Sequence, residues 1–485
     1  MAKRIDQRTN RRHQHAALSA TCLGLLVMLG VGICVQAAPA QVAASGISAV
    51  YPVKVSDNKR YLVDQRGTPF LIVGDTPQGL MSRLSEKEAD EYFANRQAHE
   101  FNTVGWIDVA CAGHDFPTNL DASTPNGIRP FTGYLPGGKD FAHYDLSKPN
   151  EAYFSRLDKI VVLAGNHGIL VFIDPIETIG WLPTLRNNGP AAARAYGEYL
   201  GSRYKRFPNV AWLNGNDFNT WKDVQDDSLV QAVSNGIRTT DPKHIQTVEL
   251  NVFNSSSYDD PTWVPLAEIN STYAYSPTYI QMLHSYNQTP VAPTYLVEAH
   301  YDLEDAGKPP DYGYPPVLRR EEYWTMLTGG TGQFYGNAYT WSFKSGWETH
   351  LDTPGVMQLT IWKKFFATLP WQDLVPDQDH SVLVAGMGNY GDLRTRVSQA
   401  EYSTAAKTSD GSIVVVYMPT ARSITLNMAS LKGAAYARWF DPTNGRYTTI
   451  RPEPFENQGI QQFTPPAKNH DRDSDWVLVL STQRI

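Results

Sequence analysis

Cysteine is nearly absent from this chain, with three in 485 residues, at positions 22, 34 and 111. Cys22 and Cys34 fall in an apolar N-terminal run, so beyond residue 40 only Cys111 remains and no intrachain disulfide can form there. Stability must then come from a core. A lone thiol without a nearby His and carboxamide pattern reads as a small buried side chain rather than a nucleophile. Metal-binding histidine patterns are missing as well. No His-x-His or His-Glu-x-x-His occurs after residue 40, which removes the usual signatures of a zinc hydrolase. Positive charge is in deficit: the formal net charge is −7, and it becomes −11 once residues 1–40, with five basic residues and one acidic, are set aside. An acidic chain of this kind is a poor partner for nucleic acid or an anionic membrane surface.

What is present begins with a targeting segment. Lys3, Arg4, Arg8, Arg11 and Arg12 precede an apolar run from Ala16 to Val35, and Ala38-Pro39-Ala40 is a small-residue cleavage pattern. A secretory signal over residues 1–40 is the expectation, with the mature protein secreted or periplasmic. An uncleaved membrane anchor is the alternative. Arg11-Arg12 hints at twin-arginine export, but His13, Gln14 and His15 stand where apolar residues belong.

The remaining length suits a barrel of about 250 residues or more together with an accessory domain. From Phe70 onward, apolar β-branched segments alternate with helical patterns. Expected strands are Phe70–Asp75, Asn102–Val109, Gly168–Asp174, Asn209 into Asp217, Gln246–Leu250, Ala267–Tyr275, Thr294–Glu298 and Gly332–Tyr339. Ser85 with Glu88 forms a capping box, and helices follow near residues 150–166, 191–206, 226–239, 318–327 and 356–369. Eight alternations under the right-handed crossover rule predict an α/β fold, a (β/α)8 TIM barrel over residues 41–376. The Gly/Pro/Asp-rich excursion from Ala112 to Pro149 is too long for a plain connector. Short strands at Val53–Val55 and Tyr61–Val63 suggest a small hairpin at the barrel's base. From about Asp377 the period changes to two, with Asp410-Gly411 and Asn444-Gly445 as hairpin turns, so residues 377–485 are expected to form an all-β sandwich.

Chemistry is sought where strands end, because such barrels carry their sites on that rim. The stretch Asn209 to Trp221 is an apolar run, Val210 to Leu213, that breaks into Gly215, Asn216 and Asp217, with Trp212 and Trp221 nearby. The segment Pro293 to His300 delivers Glu298 directly after Tyr-Leu-Val, where a carboxyl would be costly to bury without a purpose. Two carboxyls facing across a sugar ring make a glycoside hydrolase. Asp217 can also be read as a loop cap. Asp75 and Asp174 end strands on the same rim and either bind sugar hydroxyls or anchor loops. Tyr273, Tyr275, Tyr335, Asn337 and Trp341 divide between sugar contacts and packing. His114 and His300 either orient carboxylates or are ordinary loop histidines. Aromatics make up 12% of the chain, which favours sugar stacking without establishing it.

Tyr61-Leu-Val-Asp, Phe70 to Thr76, Asn102, Pro149-Asn-Glu-Ala-Tyr, Arg194 to Tyr204, Asn209 to Asp217 and Leu296 to His300 together resemble the DUF4038 or apiosidase-like family. Val415-Val-Tyr-Met-Pro-Thr and Trp439-Phe-Asp-Pro-Thr-Asn-Gly resemble the β-sandwich named for collagen binding that commonly follows it. The resemblance implies a (β/α)8 glycoside hydrolase similar to the endo-apiosidases of plant pectic side chains, with the acid/base aspartate falling on Asp217 and the nucleophile on Glu298. Asn216 then holds the position of an asparagine that bonds the sugar 2-hydroxyl in similar barrels. The neighbours differ from the family: Leu213-Asn-Gly-Asn-Asp217-Phe stands for Leu-Gly-Gly-Asp-Arg, and Leu296-Val-Glu298-Ala for Asp-Gly-Glu-Pro.

The expected reaction is retaining hydrolysis of a glycosidic bond in a plant or microbial polysaccharide. Ionised Glu298 attacks, and Asp217 serves as acid, its proton held by the neighbouring charge and by burial against residues such as Trp212. Catalytic residues are thus Asp217 and Glu298; substrate contacts are Asp75, Asp174, Asn216, Trp212, Tyr275, Tyr335, Asn337 and Trp341. No cofactor or metal is assigned, although Asp115 to Asp121 would suit calcium. The partner is a carbohydrate, with no nucleic acid, no membrane beyond the N-terminal anchor alternative, and a monomeric chain. A non-catalytic carbohydrate-binding or matrix-adhesion protein is the competing reading; it would need the aromatics but neither carboxylate.

Overall fold

The computed structural model describes residues 49–109, 121–251, 253–304 and 313–484. The N-terminal leader, Cys111, His114 and residues 115–120 of the acidic loop lie outside the described residues. Eight parallel strands build the barrel: β1 Ile72–Asp75, β2 Thr103–Asp108, β3 Leu170–Asp174, β4 Val210–Phe218, β5 Gln246–Leu250, β6 Asn270–Ala274, β7 Thr294–Glu298 and β8 Gly330–Tyr335. They are hydrogen-bonded in the order β5-β4-β3-β2-β1-β8-β7-β6. The seam between β5 and β6 is closed by the Glu268 N–H on the Gln246 carbonyl (2.9 Å) and by Thr247 Oγ1 and Ser271 Oγ on the carbonyls of Ile269 (2.9 Å) and Val248 (2.5 Å).

Besides a single turn at Leu80–Arg83, the α-helices among the described residues are α1 Glu86–Ala98, α2 Glu151–Asn166, α3 Thr178–Tyr204, α4 Val224–Thr240, α5 Thr278–Asn287, α6 Pro315–Leu327 and α7 Pro354–Ala367. The Ser85/Glu88 capping box starts α1 as its sequence predicts. Helix α3 is two helices joined at Gly189, whose φ of 76° only glycine adopts freely; Pro190 then opens the second half. The alternation breaks once. Among the described residues, β5 is followed not by a helix but by the short antiparallel strand Asn254–Ser256 on the edge of β6 and a single 3-10 turn.

Strand parity decides which side chains enter the barrel. Ile72, Phe172, Leu213, Tyr295, Val297 and Phe334 fill the interior together with Trp106. The Phe334 ring occupies the space a Cβ would need at Gly74 and Gly105, so two strands lack side chains there because the ring takes their place. Beneath the barrel, Lys54–Val55, Leu62–Val63 and Pro69–Phe70 form a small antiparallel sheet; Phe70 therefore belongs to it and not to the first barrel strand. Of the long excursion before α2, the described part folds over the start of α3, with Tyr144 stacked on Trp181 at 6.0 Å.

Residues beyond α7 form two packed antiparallel sheets, one of six strands and one of three, enclosing Leu383, Val414, Val416, Leu426, Trp439 and Leu478. The outer face of the larger sheet joins α6 and α7 in one continuous core, where Tyr323 stacks on Tyr417 (4.9 Å) and Phe365 meets Phe440 (4.5 Å). Arg319 of α6 is buried in this contact. Its guanidinium donates twice to Asp475 (2.8 Å each), and once each to Asp473 and Gln358 (2.7 Å).

Candidate active site

Three carboxyl groups meet at the C-terminal ends of β4, β5 and β7. One oxygen from each of Asp217, Glu249 and Glu298 lies within 4.8 Å of the others. Glu298 completes β7 and is almost fully buried. Both its oxygens accept phenol hydroxyls, Oε1 from Tyr275 (3.0 Å) and Oε2 from Tyr301 (3.1 Å), and Gln78 donates onto Tyr301 from the β1 rim at 3.3 Å. Burial and the Asp217 charge hold the Glu298 carboxyl well above the usual range, while the two phenols work to stabilise its anion.

Asp217 owes its place to a bulge. The β4–β5 register is regular to Asn214↔Val248 and resumes at Phe218↔Leu250. In between, Gly215 (φ 73°) and Asp217 (φ 47°) are both left-handed, and the Asp217 peptide N–H turns to Glu249 Oε2 at 3.3 Å. Asn251, just past β5, donates its amide to Asp217 Oδ1. Glu249 itself is wholly buried, and burial, then Glu298 and Asp217, push its carboxyl far up.

Behind this trio stand Asp174 and Glu177. Asp174 faces inward from the end of β3 and is raised to about 8 by burial, with the peptide N–H groups of Ile176 and Gly215 pulling the other way. Glu177 caps α3 through the N–H groups of Ile179 and Gly180; burial first, then the charge of Asp174, raise it. Asp217, Glu249 and Glu298 would be the oxygen donors for a hard cation. Two phenol O–H groups aimed at Glu298 suit an anion that accepts hydrogen bonds better than a metal ligand.

Residues 56–373 match the family model described as the apiosidase-like catalytic domain. The chain belongs to the apiosidase-like family. As a member it is a glycoside hydrolase, and its barrel is the catalytic domain. Residues 393–481 match the domain family named for collagen binding in a collagenase. Among the curated proteins none matches. A solved glycoside hydrolase is similar at 21% identity and TM-score 0.73, over 88% of this chain and 96% of that one. A family 5 glycoside hydrolase from Bacteroides vulgatus ATCC 8482 aligns equally well, at 21% identity and TM-score 0.73 over 88% and 93%. At this identity both speak for the fold.

In this apiosidase-like barrel, Asp174, Asn216 and Tyr275 stand with Asp217 and Glu298 at the rim. Asn216 is fully buried inside the bulge, and its side-chain amide meets no partner among the described residues. Trp341 sits half-buried on the rim loop, its carbonyl accepting the Gly79 N–H (2.8 Å) next to Gln78. Four expected contacts lie elsewhere, for a common reason: their parity points them at the helices. Asp75 faces α1, where it accepts from Tyr92 Oη (2.6 Å) and Arg96 Nε (2.5 Å). Trp212 faces α3 and α4, its Nε1 donating to Asp241 at 3.0 Å and its ring edge-on to Tyr204, so it does not bury Asp217. Tyr335 points outward from β8 to Asp302 (2.6 Å) and Thr353 (3.2 Å). Asn337 is buried just beyond, donating to Tyr335 Oη (3.1 Å) and accepting from the Tyr339 N–H (2.8 Å). His300 bonds Glu321 of α6 at 2.5 Å and packs on Tyr275.

Sequence reasoning missed Glu249, Tyr301, Gln78, Asn251 and Glu177. Glu249 was findable. In Gln246–Leu250, Val248 and Leu250 are the outward apolar pair, which turns Thr247 and Glu249 inward at a strand end. Glu298 does not follow from that argument: Tyr295 and Val297 face the interior, so parity alone would turn Glu298 outward with Leu296, and it reaches the site at a register shift against β6. The other four sit on loops, where no periodicity points anywhere.

Proposed function

We propose that the protein is an exported, retaining glycosidase that cleaves glycosidic bonds in a plant or microbial polysaccharide. The carrying observation is the pairing of Asp217 and Glu298 at the ends of β4 and β7, with an oxygen of each inside the 4.8 Å grouping. Retaining enzymes hold their two carboxyls about 5–5.5 Å apart, whereas inverting ones leave about 6.5–9.5 Å for a water. Glu298, ionised and steadied by Tyr275 and Tyr301, attacks the anomeric carbon. Asp217 gives its proton to the leaving oxygen, then takes one from the water that releases the sugar. Asn216, with its unsatisfied amide, bonds a hydroxyl of the bound sugar. Export is supported by the basic, apolar leader over residues 1–40.

The test is a product screen of the mature protein against pectic side-chain oligosaccharides and simpler plant and bacterial glycans, with Asp217→Ala and Glu298→Gln as controls. Release that both variants lose, with the anomeric configuration kept in the first product, is expected. An inverted product would remove Glu298 as nucleophile.

A further inference from the structure

Glu249 is the one member of the carboxyl trio to which a two-carboxylate mechanism assigns no task. Burying such a group is costly unless it serves a purpose. We propose that Glu249 is a positioning residue for the acid step, accepting the peptide N–H of Asp217 and so fixing the left-handed kink that turns the Asp217 carboxyl toward Glu298. This rests on the roles given above to Asp217 and Glu298.

The geometry carries it. A non-glycine residue at φ 47° is held there only when its surroundings over-determine it. Strand β5 and the residue after it grip the bulge at three successive positions: Glu249 takes the Asp217 peptide N–H, Leu250 meets Phe218 in the resumed ladder, and Asn251 donates to the Asp217 carboxyl. The middle contact is ordinary sheet pairing, and the outer two are side chains placed on either side of it. Removing the first takes away the acceptor that β5 offers the Asp217 N–H.

No Lys or Arg forms an ion pair with Glu249 among the described residues, and two carboxyls stand beside it, so burial and repulsion both favour its acid form. A neutral acid can accept the Asp217 N–H through its carbonyl oxygen without adding a third charge to the pair. Glutamine reproduces that shape and that acceptor.

The experiment compares the full mature chain with E249Q, E249A and E249L. Crystal structures of the variants read the backbone of Asp217 without any substrate: the kink is expected to persist in E249Q and to be lost in E249A and E249L. Kinetics on pectic side-chain oligosaccharides should show kcat down about 10²-fold in E249A and E249L, KM changed by no more than about twofold, and most of the loss recovered in E249Q. An infrared difference spectrum of wild type minus E249Q at pH 7 should contain a protonated-carboxyl band. A kink kept in E249A or E249L overturns the proposal. So does an E249Q as impaired as E249A, or an ionised carboxylate in the spectrum, either of which would make the charge of Glu249, as a base or a cation ligand, the needed feature. A wild type silent on these sugars counts against the substrate class alone, because the crystal structures and the spectrum still decide the role of Glu249.

Discussion

Tyr275, just past the end of β6, donates its hydroxyl to Glu298 Oε1 at 3.0 Å, and this contact stabilises the Glu298 anion. Burial and the Asp217 charge raise the Glu298 carboxyl, while Tyr275 and then Tyr301 lower it. As the proposed nucleophile, Glu298 would act only when ionised, so turnover should fail on the acid side of a limb lying above the ordinary glutamate range. Removing a donor to the anion raises the group further. Y275F and Y301F should each move the acid limb of kcat/KM to higher pH and cost about tenfold or more at neutral pH, the scale of a hydrogen bond to a charged group. A limb left in place would show that the phenols do not act through Glu298.

Asp217 and Glu298 should separate by leaving group. D217A is expected to lose about 10²–10⁴-fold on natural linkages, and less on an aryl glycoside whose leaving group needs no proton. E298Q should be silent on both. Equal losses for D217A on the two substrate types would argue that Asp217 is not the acid.

Asp75 should prove a stability residue. Its pair with Arg96 is wholly buried at 2.5 Å, and breaking one side of such a pair costs about 3–5 kcal/mol. D75N should lower the melting temperature markedly while leaving KM of the surviving folded fraction unchanged. A raised KM without loss of stability would return Asp75 to the sugar site.

Glu322, on α6, is fully buried and raised to about 8, by burial above all. Its folded value lies above its unfolded one, so the unfolded chain gives up this proton first as pH rises. The resulting destabilisation is absent below the ordinary glutamate range and grows until about pH 8. E322Q removes it. The variant should therefore gain melting temperature relative to wild type at pH 8 and show little difference at pH 4; equal shifts at both would mean that charge is not the cause.

Much of this was legible in the sequence. The alternation of apolar strands and capped helices, the later change to period two, and the turns at Asp410-Gly411 and Asn444-Gly445 are local signals, each written within a few residues. The same holds for Glu298, a carboxyl directly following an inner strand. The Asp75 expectation failed because a carboxylate at a strand end has two faces to choose from. Asp75 shares its parity with Val73 and points to α1, whereas Asp174 shares its parity with Phe172 and points into the mouth. Trp212 and Tyr335 misled in the same way.

Sequence alone therefore determined the architecture and named the two candidate carboxyls, Asp217 and Glu298, since hydrophobic period and strand ends are properties of the chain itself. The tertiary structure decided the rest of the site. Asp217 sits in a bulge whose register is defined against β5, which sets Glu249 beside it, and the closed barrel brings Asp217 and Glu298, 81 residues apart, onto one rim. Tyr275 and Tyr301 reach Glu298 from neighbouring loops. Such convergence depends on distances in space, which residue spacing along the chain does not encode.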